Sequence, residues 1–482
     1  MRNFVSEKRL CCLQERLGLL CQADCSTLRL KKILMKKIYI LGGILASAAL
    51  LLSPIYATRG MACDGFSVVT DSHEAIYVDT VDVDTMDVDA EDTDTAAVGA
   101  VDVVDDDEDK ALPWPQNVVS RIDRIFRETT IFNTSMVGMQ IYDLTADSVI
   151  YEYNARQLMR PASTLKMMVA VSALDFLGAD YKYKTRLSYS GRLDSLVLQG
   201  NIYCKGDLDP TFDSDDMSKF VEQISALGID TINGNIVLDK TMKDKDLLGE
   251  GWCWDDDNPV LSPLLVGRKD EFEDRLKRRL RQKGIFLVGD CKEGSVSGGT
   301  TTIYTKETAL LDVMHRQMKR SDNLYSESVF YHIASDYIGG RGGATARNGR
   351  QAMNRLVSKL GFKPSAYYIA DGSGLSLYNY VSPELEVAFL KYAYRHSRIY
   401  DNLLPCLPIA GVDGTLGKRM RSGAAHDNVK AKTGTVTGVS ALAGYCTAAN
   451  GHRLCFSIIN MGIRHASSGR NFQDKVCQAL CR

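Results

Sequence analysis

Arg160-Pro-Ala-Ser-Thr-Leu-Lys-Met-Met-Val-Ala-Val-Ser-Ala-Leu-Asp-Phe-Leu177, closed by Gly178, is the stretch on which the fold turns. Pro161 suits a helix start, because its fixed φ fits the first turn and its missing N–H would find no partner there. Gly178 suits the position just past a helix end, where the backbone turns left-handed. Between them the side chains are apolar nearly all round, which marks a buried central helix rather than an amphipathic surface one. Set into this run are Ser163 and, three residues on, Lys166. Residues i and i+3 of a helix share a face, so the two side chains can meet. A serine hydroxyl needs a base within reach to act as a nucleophile. Lys166 serves only if burial and a second nearby cation favour its neutral form. Near a helix N-terminus Ser163 also gains backbone N–H groups and a favourable dipole for a developing oxyanion.

A Ser with Lys three residues on should arise by chance about once or twice in a chain this long. The weight therefore falls on two further motifs that come after it in order, Ser321-Asp-Asn323 and Lys432-Thr-Gly-Thr435. On a short loop Ser321 and Asn323 point the same way, giving a proton relay and an amide. The bland alternative is a helix N-cap from Ser321 or Asp322. In the third motif Gly434 lets a ligand backbone approach beside the strand. Lys432, Thr433 and Thr435 could grip a substrate carboxylate, with the Thr435 N–H as a second oxyanion donor. Its bland alternative is an edge strand carrying Lys and Thr. Lys432 is also the obvious cation to act on Lys166. The histidines His315, His332, His396, His426, His452 and His465 lie in helix-like and turn segments with no Gly-x-Ser-x-Gly to serve, which argues against a Ser-His-Asp hydrolase. No Cys/His spacing resembles a zinc site.

Working outward, 482 residues at 45% apolar composition predict two domains plus extensions. The net charge of −2 hides a segregation. Residues 1–59 carry ten Lys/Arg, residues 1–78 six Asp/Glu, and 79–109 fourteen Asp/Glu with no basic residue, which leaves 48 basic and 40 acidic residues in 110–482. Residues 1–58 read as a basic leader with an export signal starting at Met35, its Ile38–Leu52 apolar run too short to span a membrane comfortably. This predicts an exported, periplasmic or envelope-associated protein, and an uncleaved signal would tether it to a membrane. Residues 59–111 read as an acidic, disordered linker. Its spacing lacks the Gly turn and terminal Glu of an EF-hand calcium loop. Residues 112–178 and 305–482 are expected to form the catalytic domain, and 179–304, richer in short strands, Gly and Asp, an inserted module. Cys446 and Cys455 flank Asn450-Gly451. A two-residue hairpin loop there would set them opposite one another, and a disulfide or two buried thiols would both fit. Strands at 135–144, 148–153, 440–447 and 453–461, with helices at 118–127, 271–283, 309–320, 324–337, 347–360 and 383–395, predict an α+β fold, a helical cluster on an antiparallel sheet.

These residues resemble the penicillin-binding serine acyl-transferases, and within them the class C low-molecular-mass, type-4 penicillin-binding proteins, which are D-alanyl-D-alanine carboxypeptidases and endopeptidases. The likeness spans roughly 130–470 and rests on more than the three motifs. It includes Gly206-Asp-Leu-Asp-Pro-Thr211, Gly234-Asn-Ile-Val-Leu-Asp239 and Ala370-Asp-Gly-Ser-Gly-Leu375. It continues through Leu407-Pro-Ile-Ala-Gly-Val-Asp-Gly-Thr-Leu416 and Gly438-Val-Ser-Ala-Leu-Ala-Gly444. The resemblance implies the penicillin-binding/serine β-lactamase-like transpeptidase fold with a small mixed insert. It implies that Ser163 attacks the carbonyl between two D-alanines with Lys166 as base, and that the leaving group departs through Ser321 and Lys432. The N–H groups of Ser163 and Thr435 would form the oxyanion hole. It implies peptidoglycan peptides as substrate, β-lactams as inhibitors, no metal or organic cofactor and no nucleic-acid partner. It offers Asp209 as a contact to the substrate's diamino-acid side chain, against the plain reading of a turn residue before Pro210. Larger members carry a second, outer insert that this chain is inferred to lack. The rival readings are a serine β-lactamase and a receptor that is acylated without turnover.

Overall fold

The computed structural model describes residues 112–253 and 258–482. The leader, the acidic tract and any membrane tether through the signal lie outside the described residues. Among the described residues no helix is long and apolar enough to cross a membrane.

Helix α1 (Gln116–Glu128) precedes a hairpin of β1 (Met136–Asp143) and β2 (Ser148–Tyr153). A 3₁₀ turn at Ala162–Thr164 then leads into α2 (Leu165–Phe176), of which ten consecutive residues, Leu165 to Leu174, are buried. Gly178 comes next at φ +82°, as a helix-ending glycine should. The insert begins with β3 (Lys182–Tyr189), β4 (Arg192–Asp194), β5 (Val197–Gln199) and β6 (Ile202–Lys205). It continues with α3 (Ser214–Ser225), β7 (Thr231–Asn233), β8 (Ile236–Asp239) and α4 (Phe272–Gln282). It closes with β9 (Phe286–Leu287), β10 (Cys291–Glu293) and β11 (Thr301–Ala309). Then come α5 (Leu310–Lys319), α6 (Asn323–Tyr337), α7 (Ala346–Lys359) and α8 (Pro383–Tyr394), and the short α9 (Ser397–Leu403). The chain ends with β12 (Lys430–Val436), β13 (Val439–Thr447), β14 (Arg453–Met461) and α10 (Ala466–Cys481).

The main sheet is antiparallel in the order β12-β13-β14-β1-β2. It is covered on both faces, so β13 and β14 are buried almost throughout. One face packs α1 and α10 through residues such as Ile122, Phe456, Phe472 and Leu480. The other packs α2, α6 and α8 through residues such as Met168, Phe330, Phe389 and Tyr445. Helix α2 lies inside this second core, which explains why it is apolar all round. Strands β3 and β11 pair from Lys182↔Ala309 to Tyr189↔Thr301 and form the neck of the insert, with residue 305 inside it. The same two strands form one side of a five-stranded sheet, β10-β8-β6-β3-β11, and a second sheet has four strands, β4-β5-β7-β9.

The opposed pairing of Cys446 with Cys455 does not occur. The turn closed by Ala448 and His452 encloses three residues, 449–451, not two: the Ala448 N–H donates to His452 O at 2.9 Å and Gly451 takes φ +87°. Tyr445 therefore stands opposite Cys455, and Cys446 opposite Leu454. A one-residue slip moves a side chain to the other face. Cys446 joins Cys477 and Cys481 in the core beneath α10, Cys455 faces the α2 side, and all are free thiols.

Candidate active site

The three motifs, far apart in sequence, converge where the start of α2 meets the edge strand β12 and the loop before α6. Lys166 is fully buried, and its Nζ lies 2.9 Å from Ser163 Oγ, 2.8 Å from Asn323 Oδ1 and 2.7 Å from Ser373 O. Lys432 is also fully buried, and its Nζ donates to Ser321 Oγ and to Thr433 O, each at 2.7 Å. Ser163 and Ser321 keep part of their surface open. Thr433 Oγ1 donates to Thr415 Oγ1 at 2.8 Å, which ties β12 to the Gly414–Leu416 turn. A Cβ placed on Gly434 would sit 3.0 Å from Ser163 N, so β12 runs directly against the backbone that carries Ser163. The three motifs thus supply two hydrogen-bonded groups, one around each lysine Nζ, brought together by the Ser321–Asn323 loop and by the approach of β12 to the Ser163 backbone.

Local structure holds each piece. Ser321 adopts φ +60°, a left-handed value that turns the chain sharply out of α5. Asp322 then caps α6, accepting from Tyr325 N, and pairs with Arg316 Nε at 3.0 Å and with Arg268 Nη1 of the insert at 3.2 Å. The helix cap considered for this motif is therefore present at Asp322, alongside Ser321 and Asn323 facing the two lysines. The hydrogen bonds of Asp209 go to Thr211 and Thr308. The residue is 2% exposed, with Oδ1 accepting from Thr211 N and Oγ1 and Oδ2 from Thr308 Oγ1. Oδ1 is thus used in the turn at Pro210, while Oδ2 is held by Thr308 of β11, with Lys306 Nζ 3.7 Å away.

Several residues of the site went unassigned in the sequence. Ser373 contributes a carbonyl, and its loop is pinned from both sides. Asp371 accepts from Gly374 N, Ser376 N, Asn379 Nδ2, Ser373 Oγ and Trp252 Nε1. Glu327, on α6, accepts from Gly372 N at 3.0 Å and Ser373 N at 2.7 Å. Burial, and then the negative charge of Asp371, push the Glu327 carboxyl up to about 8. Because the folded value lies above the ordinary 4.5, this group stabilises the fold fully below that range, and the contribution is lost as pH rises through about 8. Truncating Glu327 to alanine leaves two buried N–H groups without their acceptor. A loss of about 2–4 kcal/mol in denaturant unfolding is expected, with Glu327→Gln, which keeps the acceptor, much nearer wild type.

The model of the D-Ala-D-Ala carboxypeptidase 3 (S13) family matches residues 118–264 and 267–482. The chain belongs to this family. The D-alanyl-D-alanine carboxypeptidase DacB of Haemophilus influenzae is 26% identical over 408 residues, covering 67% of this chain and 84% of that protein. A D-alanyl-D-alanine carboxypeptidase from an Actinomadura species is 24% identical, covering 71% and 80%. The crystal structure of penicillin binding protein 4 from Haemophilus influenzae superposes with a TM-score of 0.68 at 23% identity, over 74% of this chain and 97% of that one. That likeness carries the fold, which is the α+β arrangement expected from the helical cluster and antiparallel sheet. The family match includes residues 179–304, the expected insert, and breaks only at residues 265 and 266.

Proposed function

We propose that this S13-family chain is an exported serine D-Ala-D-Ala carboxypeptidase that hydrolyses peptidoglycan stem peptides through an ester on Ser163, with cross-links between stems as further substrates. The observation that carries it is the set of three oxygens around Lys166 Nζ. Asn323 Oδ1 and Ser373 O can only accept hydrogen bonds. A neutral amine satisfies both with its two N–H groups and turns its lone pair to Ser163 Oγ, where a base is needed.

Ser163 Oγ attacks the carbonyl carbon of the penultimate D-Ala and its proton passes to Lys166 Nζ. The oxyanion is held by the N–H groups of Ser163 and Thr435. As the C–N bond breaks, the departing amine takes a proton from Ser321 Oγ, which Lys432 resupplies. Water then attacks the ester carbonyl and gives its proton through Ser321 Oγ to Lys432, and Ser163 Oγ leaves with the proton held by Lys166, which restores both lysines. Lys432, Thr433 and Thr435 hold the terminal carboxylate, and Gly434 lets the peptide lie along β12. Asp209 is assigned to the Thr211–Thr308 contact rather than to substrate. Export to the periplasm or envelope is inferred from the signal that starts at Met35, and tethering from its retention.

The test pairs intact-mass measurement after penicillin treatment with a D-Ala release assay on a D-Ala-D-Ala peptide. One adduct, lost in Ser163→Ala, together with D-Ala release by wild type, is the expected result. An adduct without release would replace the peptidase with a non-turnover receptor. Fast loss of the adduct with no release of D-Ala would point to a β-lactamase, and folded protein that takes no adduct would overturn the acyl-serine reading altogether.

A further inference from the structure

Glu386 takes no part in the chemistry above, yet its carboxyl reaches the residue next to the nucleophile. It stands in the first turn of α8 and is 2% exposed. Its Oε1 lies 2.6 Å from Thr164 Oγ1 and its Oε2 2.6 Å from Ser457 Oγ. Thr164 Oγ1 is at the same time 2.7 Å from the carbonyl oxygen of Pro161. A threonine hydroxyl has a single proton, and the Pro161 oxygen can only accept. With both contacts short, the carboxyl must be the donor on its side. The protons then run one way: Ser457 to Oε2, Oε1 to Thr164, and Thr164 to Pro161.

We propose that Glu386, as the neutral carboxylic acid, is a positioning residue for Ser163, locking the Thr164 hydroxyl onto Pro161 and so fixing the turn that aims the nucleophile. This rests on the acyl-serine reading. The turn needs such a lock, because Ala162 is held at φ +48°, a left-handed value unfavourable for a residue with a side chain. When Glu386 ionises, the Thr164 proton swings to the carboxylate and Pro161 keeps only the 3.3 Å bond from Thr164 N. Among the described residues the groups that hydrogen-bond to the Glu386 carboxyl are the hydroxyls of Ser457 and Thr164. On the elements packed against α8, Lys166 of α2 hydrogen-bonds to the three oxygens of the site. Tyr142 of β1 donates to Asp147 and Tyr445 of β13 to Leu390 O. Cys455 of β14 is a thiol that burial keeps neutral. Tyr400 of α9 packs edge-on against Tyr445. Burial pushes Glu386 up to about 7, with the hydrogen bonds that Ser457 and Thr164 offer the ionised carboxylate pulling the other way.

The experiment is the rate at which penicillin acylates the full-length protein between pH 6 and 8.5, compared among wild type, Glu386→Gln and Thr164→Val. Glutamine reproduces the neutral acid, donating through Nε2 to Thr164 and accepting from Ser457 through Oε1. The ratio of the Glu386→Gln rate to the wild-type rate cancels titrations common to both. It should rise from near one at pH 6 to about tenfold at pH 8.5, the scale set by small misplacements of reacting groups. Thr164→Val, which removes the hydroxyl but keeps the shape, should be slow at every pH. A ratio that stays flat, or a Thr164→Val enzyme as fast as wild type at pH 6, overturns the proposal even if Glu386→Gln does not fold. A wild type that takes no adduct at any pH removes the acyl-serine reading itself, and this proposal with it.

Discussion

Replacing Lys166 by arginine should abolish acylation of Ser163 as thoroughly as replacing it by alanine. Arginine keeps the charge and the hydrogen-bond donors, so a lysine acting only as a buried cation would be partly rescued. A lysine acting as the base would not, because a guanidinium is not deprotonated in proteins and has no lone pair to offer. The surroundings sharpen the contrast. Nζ is enclosed by Ser163 Oγ, Asn323 Oδ1 and Ser373 O within 2.9 Å, and the side chain has no exposed surface. Loss of a positioned general base costs about 10²–10⁴-fold. The expected result is a fall of about 10³-fold in the penicillin acylation rate for both variants. Far-ultraviolet spectra should stay those of the wild type. A Lys166→Arg enzyme within tenfold of wild type would take the base role away from Lys166.

The parts of this site that sequence reading reached, and those it missed, divide on physical grounds. Helix α2 was legible because burial on all sides removes polar residues from every face, and Pro161 and Gly178 punctuate its ends. Strand β14, expected at 453–461, occupies those residues. The lysines and serines were legible because chemistry requires their side chains. Ser373 was not, because what it supplies is a backbone carbonyl, and every residue has one. Its supports, Asp371 and Glu327, are polar residues whose partners are mostly main-chain N–H groups brought in by folding. Glu386 looked like an ordinary acidic residue in the first turn of a helix, beside Glu384. Only the tertiary placement of Thr164 and Ser457 gives it a separate meaning. The β13–β14 hairpin failed for a narrower reason: Asn-Gly marks the turn, but the length of the loop around it sets the register, and that length is decided by which pairs the sheet can bury.

The second large effect is expected from a single methyl group. Gly434 has no left-handed φ to excuse it, so its role is proximity. A Cβ there would lie 2.8 Å from Pro161 O and 3.0 Å from both Ser163 N and Thr164 N. All three are backbone atoms of the nucleophile's turn, with no flexible side chain to swing aside. Neither partner can yield cheaply. Strand β12 is paired with β13 along its length, from Lys430↔Tyr445 to Val436↔Val439. The turn is pressed from its other side by Gly374, where a Cβ would fall 1.9 Å from Ala162 O. Gly434→Ala must therefore open the gap between Ser163 and Thr435, the two proposed oxyanion donors. A misplacement of about 1 Å can cost about 10²-fold in rate. The Gly434→Ala protein should fold and melt cooperatively, yet acylate about 10²-fold more slowly. Gly138→Ala is the matched control, since the closest atom its Cβ meets is the flexible Met159 sulfur. It should lose stability but far less of the acylation rate. If instead Gly434→Ala acylates at the wild-type rate, the spacing between β12 and the nucleophile's turn does not set the oxyanion geometry, and the Thr435 N–H loses its proposed role.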